Sequence, residues 1–202
     1  MPTILDGLKV LDLTEGMAGS LATMVLSDNG ADVVKIERPE GDPYRTTPAW
    51  IMWNRGKKSV VLDIHTQTGQ EQIKKLAVNF DVLIENFKTG VVDSLGIGYQ
   101  ELSKLNPSLI YCSMTAFGSK GPYSKFKPYN GIAEAKSGSF LPRGRTGSRP
   151  VYRVRPRGDY GSAMMMVQGI AGALRVRDKT RKGQHLESTA FAAVVFTDSG
   201  GA

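Results

Sequence analysis

The chain has 202 residues, of which 41% are hydrophobic and 22% charged, and it carries a net charge of +7. That length buries one sizeable core and suits a single domain or slightly more, and the composition is ordinary for a globular protein. No apolar run reaches the roughly 18 residues of a membrane span, and residues 1–9 have neither a basic nor an apolar leader region, so a cytoplasmic protein with no membrane partner is expected. The single cysteine, Cys112, excludes an internal disulfide; its place in the apolar run Leu109–Ser113 suits a buried structural thiol. Much of the positive excess falls between Lys120 and Lys182, interleaved with Gly, Pro and Ser. No nucleic-acid-binding motif accompanies it, so no nucleic-acid partner is expected; a small polyphosphate ligand or a plain solvated face accounts for it.

Leu8–Leu13 follows Gly7 and reads as a first strand. A Gly-Met-Ala-Gly-Ser turn (16–20) leads to Leu21–Ser27, where Leu21, Met24 and Val25 share one helical face. Asn29-Gly30 closes that helix, and Asp32–Glu37 is a second strand ending at Arg38 and Pro39. Strand, turn, helix, strand is a βαβ unit, which implies a parallel sheet and a right-handed crossover. Gly16-x-x-Gly19 is compatible with a phosphate at the helix start and equally with a plain tight turn. It is not the three-glycine dinucleotide fingerprint, and Arg38 at the end of the second strand suits a phosphate better than a ribose.

Residues 39–56 read as irregular, with Trp50 and Trp53 inside. Lys57–Asp63 is a third strand, Thr68–Asn79 a helix, Asp81–Glu85 a fourth strand, Val91–Leu95 and Tyr99–Leu105 short helices, and Leu109–Ser113 a fifth strand. The alternation predicts an α/β, Rossmann-like, doubly wound and mainly parallel sheet with helices on both faces. Ligands of such sheets lie beyond the C-terminal strand ends, which nominates Glu15–Gly19, Arg38, His65, Asn86-Phe87 and Thr115–Gly118. From Gly118 to Gly158 the periodicity fades apart from a helix at Ile132–Lys136. Asp159 then opens a Met-rich helix, Ala163–Leu174, and His185–Phe196 is a last apolar run.

The two histidines are far apart and no cluster has metal-ligand spacing, so no metal is expected. The nucleophile elbow of hydrolases and the phosphate loop with a Gly-Lys-Ser/Thr ending are both missing. Asp159 is the strongest single candidate for chemistry. It has three available roles: a helix N-cap, a charge pinned by Arg155 and Arg157, or a carboxylate nucleophile that the flanking glycines leave open to substrate. Local features alone favour the N-cap.

Several stretches, in this order and spacing, carry a resemblance over most of the chain. They are residues 5–14 with Ala18-Gly19, 30–39 with Gly41-Asp42-Pro43, 54–63, 81–87 with Gly90, 106–113, Phe117-Gly118 with Gly121-Pro122, Gly158-Asp159, and Thr180 with Gly183-Gln184. The chain resembles the family III CoA-transferases, which include formyl-CoA transferase, crotonobetainyl-CoA:carnitine CoA-transferase and α-methylacyl-CoA racemase. The resemblance implies that 1–202 is the large, CoA-binding N-terminal domain, with 118–158 an irregular basic segment leading to the active-site aspartate. By the same resemblance, Asp159 is the nucleophile and Tyr129 and Asn130 lie beside the reacting thioester. Coenzyme A would lie along Glu15, Gly16, Met17, Ala18, Arg38, Leu62, His65, Asn86, Phe87 and Lys127. Acyl-CoA and a carboxylic acid are the implied substrates, and a homodimer or a complementing chain is the implied assembly.

The chain departs from the family at four positions and in length. Tyr129 stands where the racemase branch has a histidine, which favours transferase over racemase. Asn130 replaces an acidic residue common in relatives, Ser94 an arginine and His65 a lysine. Family members run to roughly twice this length. Set against an active transferase are a non-catalytic, split or truncated member needing a partner chain, a nucleic-acid-binding protein using the basic run, and a nicotinamide-dependent enzyme.

Overall fold

A computed structural model describes residues 3–126, 129–140, 149–152 and 155–198. Six strands form one sheet: β1 (Lys9–Asp12), β2 (Asp32–Glu37), β3 (Lys58–Val61), β4 (Val82–Glu85), β5 (Ile110–Thr115) and β6 (His185–Thr189). Their order is β3-β2-β1-β4-β5-β6, and every neighbouring pair is parallel. This is the doubly wound, Rossmann-like sheet predicted from the alternation, with the strand order reversing direction between β1 and β4. Central strands of such sheets are covered on both faces and read as continuous apolar runs. Val82, Leu83 and Ile84 are accordingly buried, as are Ile110, Tyr111 and Cys112. β3, at one edge, leaves Val60 and Val61 exposed.

The helices are α1 (Met17–Asp28), α2 (Pro48–Trp53), α3 (Gln67–Ala77), α4 (Val91–Ser94), α5 (Tyr99–Leu105), α6 (Asn130–Lys136), α7 (Arg157–Thr180) and α8 (Ala190–Asp198). One core joins α1 and α7 to the sheet through residues such as Val10, Ala22, Ile84, Met166 and Ile170. The other joins α3 and α5 to the opposite face through Leu11, Ile73, Leu83, Ile97 and Leu102. Fully burying each of the larger of these side chains contributes about 1.5–3 kcal/mol, and Ala22 less. No helix among the described residues is long and apolar enough to cross a membrane.

Four sequence expectations change. The glycine turn at 16–20 is already the first turn of α1: Gly16 takes φ 71°, a left-handed value suited to glycine, and the helix starts at Met17. Gly19 is demanded by packing, because a Cβ there would lie 2.3 Å from the Thr14 side chain. The irregular stretch 39–56 contains α2, started by Pro48 in its first turn and too short to show an apolar period. The run 185–196 is two elements, strand β6 followed directly by α8, since five residues of strand and nine of helix blur into one apolar segment. The Met-rich helix is twice its expected length and spans 24 residues, so Arg175, Arg177 and Lys179 sit on its last turns. At 1.5 Å per residue they lie roughly 25 Å from Asp159.

Candidate active site

The site is assembled at the C-terminal ends of β1, β2 and β4, where α1, α6 and α7 converge. A buried ionic cluster supports it from below. Asp12, 0% exposed at the end of β1, accepts hydrogen bonds from Thr14 N (2.9 Å), Thr14 Oγ1 (2.6 Å) and Thr23 Oγ1 (2.6 Å). Lys57 Nζ lies 3.1 Å from Asp12 Oδ2 and donates to Ser20 O and Asn54 Oδ1, both at 2.9 Å. Lys35 Nζ donates to Thr14 O (2.6 Å) and Ser20 Oγ (3.2 Å) and lies 3.7 Å from Asp42 Oδ2. Burial works to push the Asp12 carboxyl up, but the two lysines and the threonine hydroxyls outweigh it and hold Asp12 well below the usual carboxylate range. Burial brings Lys57 down to about 8, against the pull of Asp12. The cluster ties β2 and the β1–α1 turn together through Thr14 and Ser20. An aspartate and a lysine inside otherwise apolar strands are the signal the sequence offers for it.

Above this cluster the β1–α1 turn is fixed from the side. Asn86 Oδ1 accepts from Glu15 N (2.9 Å), and Asn86 Nδ2 donates to Glu15 O (2.7 Å). This reciprocal pair gives Asn86 a structural engagement with the turn that its nomination as a ligand contact did not anticipate. Phe87 N donates to Glu85 Oε2 (2.8 Å), and burial pushes the Glu85 carboxyl up to about 7. At the mouth Arg38 Nη2 lies 3.1 Å from Glu15 Oε2, both side chains being half-exposed. Burial raises the Glu15 carboxyl, and Arg38 offsets this only in part.

Two clefts open over the turn and share Glu15 and Phe87. One, of about 460 Å³, is lined by Glu15, Gly16, Met17, Ala18, Asn86, Phe87, Tyr129, Asn130 and Asp159, together with Tyr44, Met114 and Tyr152. The other, of about 200 Å³, is lined by Arg38, Leu62 and His65 between Ile36 and Ile64. The residues that the resemblance assigns to the site and that lie in the described part of the chain all line one of these two adjoining clefts, whereas Gly19 and Thr115–Gly118, nominated from the strand ends, line neither. Lys127 lies outside the described residues. Thr115, from the fifth strand end, faces elsewhere: it lines a separate cavity with Glu85, Tyr99 and His185. Tyr44, Met114 and Tyr152 were not foreseen, since nothing in their local sequence marks them.

Asp159 is not an N-cap. Pro156 holds that position, and Asp159 is the third residue of α7, half-buried in the wall of the larger cleft. Nor is it held low by arginines: burial first, then the nearby charge of Glu134, push its carboxyl up to about 6. Its neighbouring glycines serve packing rather than substrate access. A Cβ on Gly158 would lie 2.2 Å from Asn130 Oδ1 and 3.3 Å from Ala190 Cβ, and one on Gly161 would lie 2.9 Å from Ala193 Cβ. Spaced three apart on one face of α7, they let α8 and Asn130 approach the helix bearing Asp159. Asn130 donates through Nδ2 to Glu134 Oε1 (2.9 Å), while its Oδ1 is buried with no hydrogen-bond partner among the described residues. Tyr129, 60% exposed, forms the rim. Cys112 is buried beneath the sheet surface, and burial pushes its thiol up to about 12, which leaves it without a thiolate to react.

A half-buried carboxylate with a raised pKa, on a helix end that lines an open cleft, suits nucleophilic or general-base chemistry. Residues 5–199 match the family described as CoA-transferase family III. The acetyl-CoA:oxalate CoA-transferase of Acetobacter aceti is 38% identical over 197 residues, covering 92% of this chain and 50% of that protein. The human succinyl-CoA:glutarate CoA-transferase is 35% identical over 201 residues, covering 95% and 46% respectively. Among solved structures, a CAIB/BAIF family protein from Brucella suis superposes with a TM-score of 0.90 at 37% identity, covering 96% of this chain and 55% of that one. The chain spans about half the length of the curated relatives it matches. It belongs to family III of the CoA-transferases.

Proposed function

We propose that this chain is the large, CoA-binding domain of an enzyme that moves CoA between two carboxylic acids, with Asp159 as the covalent nucleophile. One observation carries the reading: the cleft that holds Asp159, Tyr129 and Asn130 also holds Glu15–Ala18 and Asn86-Phe87 and adjoins the one holding Arg38, Leu62 and His65. A long ligand with a nucleotide at one end and a thioester at the other fits two clefts joined at Glu15 and Phe87. In this reading the nucleotide lies by Arg38, Leu62 and His65, and the thioester reaches Asp159.

The Asp159 carboxylate attacks the thioester carbonyl, the C–S bond breaks, and an aspartyl–acyl anhydride forms with release of CoA thiolate. The thiolate attacks the aspartyl carbonyl, frees the donor acid as its carboxylate and leaves an aspartyl–CoA thioester. The acceptor carboxylate repeats the two steps in reverse, so no proton is consumed overall. The nucleophile must be ionised, so transfer rises with pH through about 6, the value for Asp159.

The coverage of only half of each relative supports a second element to the reading. A complementary segment, on this chain's own continuation or on a partner, completes the substrate site. The test is to incubate the protein, alone and with a segment corresponding to the relatives' other half, with acyl-CoA and hydroxylamine. Mass spectrometry then locates the adduct. A hydroxamate at Asp159 supports the reading, and none under either condition, with CoA still bound, would leave a non-catalytic CoA-binding member.

A further inference from the structure

Glu134, on α6, is a buried carboxylate that no feature of the sequence singles out. It is 0% exposed. Its Oε1 accepts from Arg157 N, the first N–H of α7, and from Asn130 Nδ2, both at 2.9 Å. Its Oε2 is buried with no hydrogen-bond partner among the described residues. A carboxylate satisfied through one oxygen only is destabilising in a core, and such groups are retained where their charge has a use.

The use points at the helix end that Glu134 touches. Two residues beyond Arg157 lies Asp159, in a first helical turn whose dipole alone would draw a carboxyl down. We propose that Glu134 is a positioning residue for Asp159: it caps the first turn of α7, holds the Asn130 amide against Gly158, and sets the charge around the cleft wall from which Asp159 projects. Only the catalytic consequence of this rests on the nucleophile reading given above. The charged groups facing Asp159 are Glu134 from α6 and, across the cleft, Glu15 from the β1–α1 turn. α1 offers only Met17 and Ala18, and the α8 residues against Gly158 are Ala190 and Val194. Burial first, and Glu134 second, push the Asp159 carboxyl up rather than down, the direction this arrangement requires. Asn130 thereby gains an explanation: a carboxylate one helical turn further on orients its amide.

The test is a titration that a merely structural contact would not move. Protein labelled with 13C at aspartate carboxyls is titrated by NMR as wild type and as Glu134→Gln, the Asp159 signal being assigned with Asp159→Asn. Glutamine keeps the length and an acceptor oxygen for Arg157 N but removes the charge. The Asp159 midpoint is expected to fall by about one pH unit in Glu134→Gln and to stay raised in Glu134→Asp. An unchanged midpoint in folded Glu134→Gln overturns the proposal. Should that variant not fold, wild type labelled at glutamate carboxyls decides: the Glu134 signal must show an inflection at the Asp159 midpoint, and its absence overturns the proposal. Failure to trap an acyl group at Asp159 would sink the nucleophile reading without touching either titration.

Discussion

Asp12 and Asp159 are two aspartates near the same cleft, and burial pushes the carboxyls of both upward. Their surroundings then take them in opposite directions. Asp12 accepts four hydrogen bonds, including one from Lys57, with Lys35 3.9 Å away, and is held far below its ordinary value. The Asp159 carboxyl accepts no hydrogen bond among the described residues, has the buried carboxylate of Glu134 for a neighbour, and rises to about 6. Burial alone thus does not separate a structural carboxylate from one proposed as a nucleophile. The partners do, and an ionised group left unsatisfied beside an open cleft is the one available to a substrate.

Exchange of either carboxyl for an amide should break the comparison in opposite ways. Asp159→Asn is expected to lower CoA transfer by the reconstituted protein at least about a thousandfold, read by steady-state assay, while leaving the fold intact. Asp12→Asn is expected to act on the fold instead. It leaves Lys35 and Lys57 buried without their shared counter-charge and should lower unfolding stability by about 3–5 kcal/mol in denaturant titration. If Asp12→Asn were neutral, the cluster beneath the turn would not be the support described.

The pH dependence of stability sharpens the same contrast. Asp159 binds its proton more tightly when folded than when unfolded, so its contribution to stability falls as pH rises from about 4 to about 6 and stays low above that. Moving a carboxyl from 3.8 to about 6 corresponds to roughly 2–3 kcal/mol at most. Asp159→Asn should therefore be more stable than wild type at pH 7 and equal to it near pH 4, measured as the difference between melting curves. Asp12 has the reverse sign: its stabilisation is present above its ordinary value near 4 and is lost as pH falls toward its depressed folded value. Equal melting temperatures of wild type and Asp159→Asn across this range would sink the assignment.

Gly158→Ala tests the geometry that brings Asp159 to the cleft. The added Cβ would meet the buried Asn130 Oδ1 at 2.2 Å. Overpacking of this kind is worth about 1–3 kcal/mol, and it should also reduce acyl trapping at Asp159, since the side chain that must yield is Asn130. Full activity with unchanged stability would mean that α6 and α7 are not packed as described.

The sheet was legible because parallel strands buried on both faces leave continuous apolar runs, as at Val82–Glu85 and Ile110–Thr115, and because topology places ligands at strand ends. That rule, applied before any likeness to known proteins, already selected Glu15, Arg38, Asn86 and Phe87. What stayed hidden depends on contacts distant in sequence. Glu134 and Arg157 are 23 residues apart, and Asn86 and Glu15 are 71 apart. Local reading made Asp159 an N-cap because a glycine-flanked acid before an apolar run has that signature. It missed that α7 begins two residues earlier, at Arg157, with Pro156 in the cap position. The glycines were misread for the same reason, because the residues they accommodate, Ala190 and Ala193, come from α8.

Glu15 stands between the two aspartates. It is half-exposed, its carboxyl is raised by burial, and Arg38 partly counters the rise across a half-exposed ion pair. Such a pair adds at most about 1 kcal/mol to stability, so Arg38→Ala should hardly move the melting temperature. It should nonetheless weaken CoA binding about tenfold in calorimetry, with the loss shrinking as salt increases, because Arg38 is the cation lining the smaller cleft beside His65. It should also raise the Glu15 carboxyl further and bring it closer to Asp159 in behaviour. A variant that loses stability but keeps its affinity for CoA would move Arg38 from the ligand to the scaffold, on the Asp12 side of the comparison.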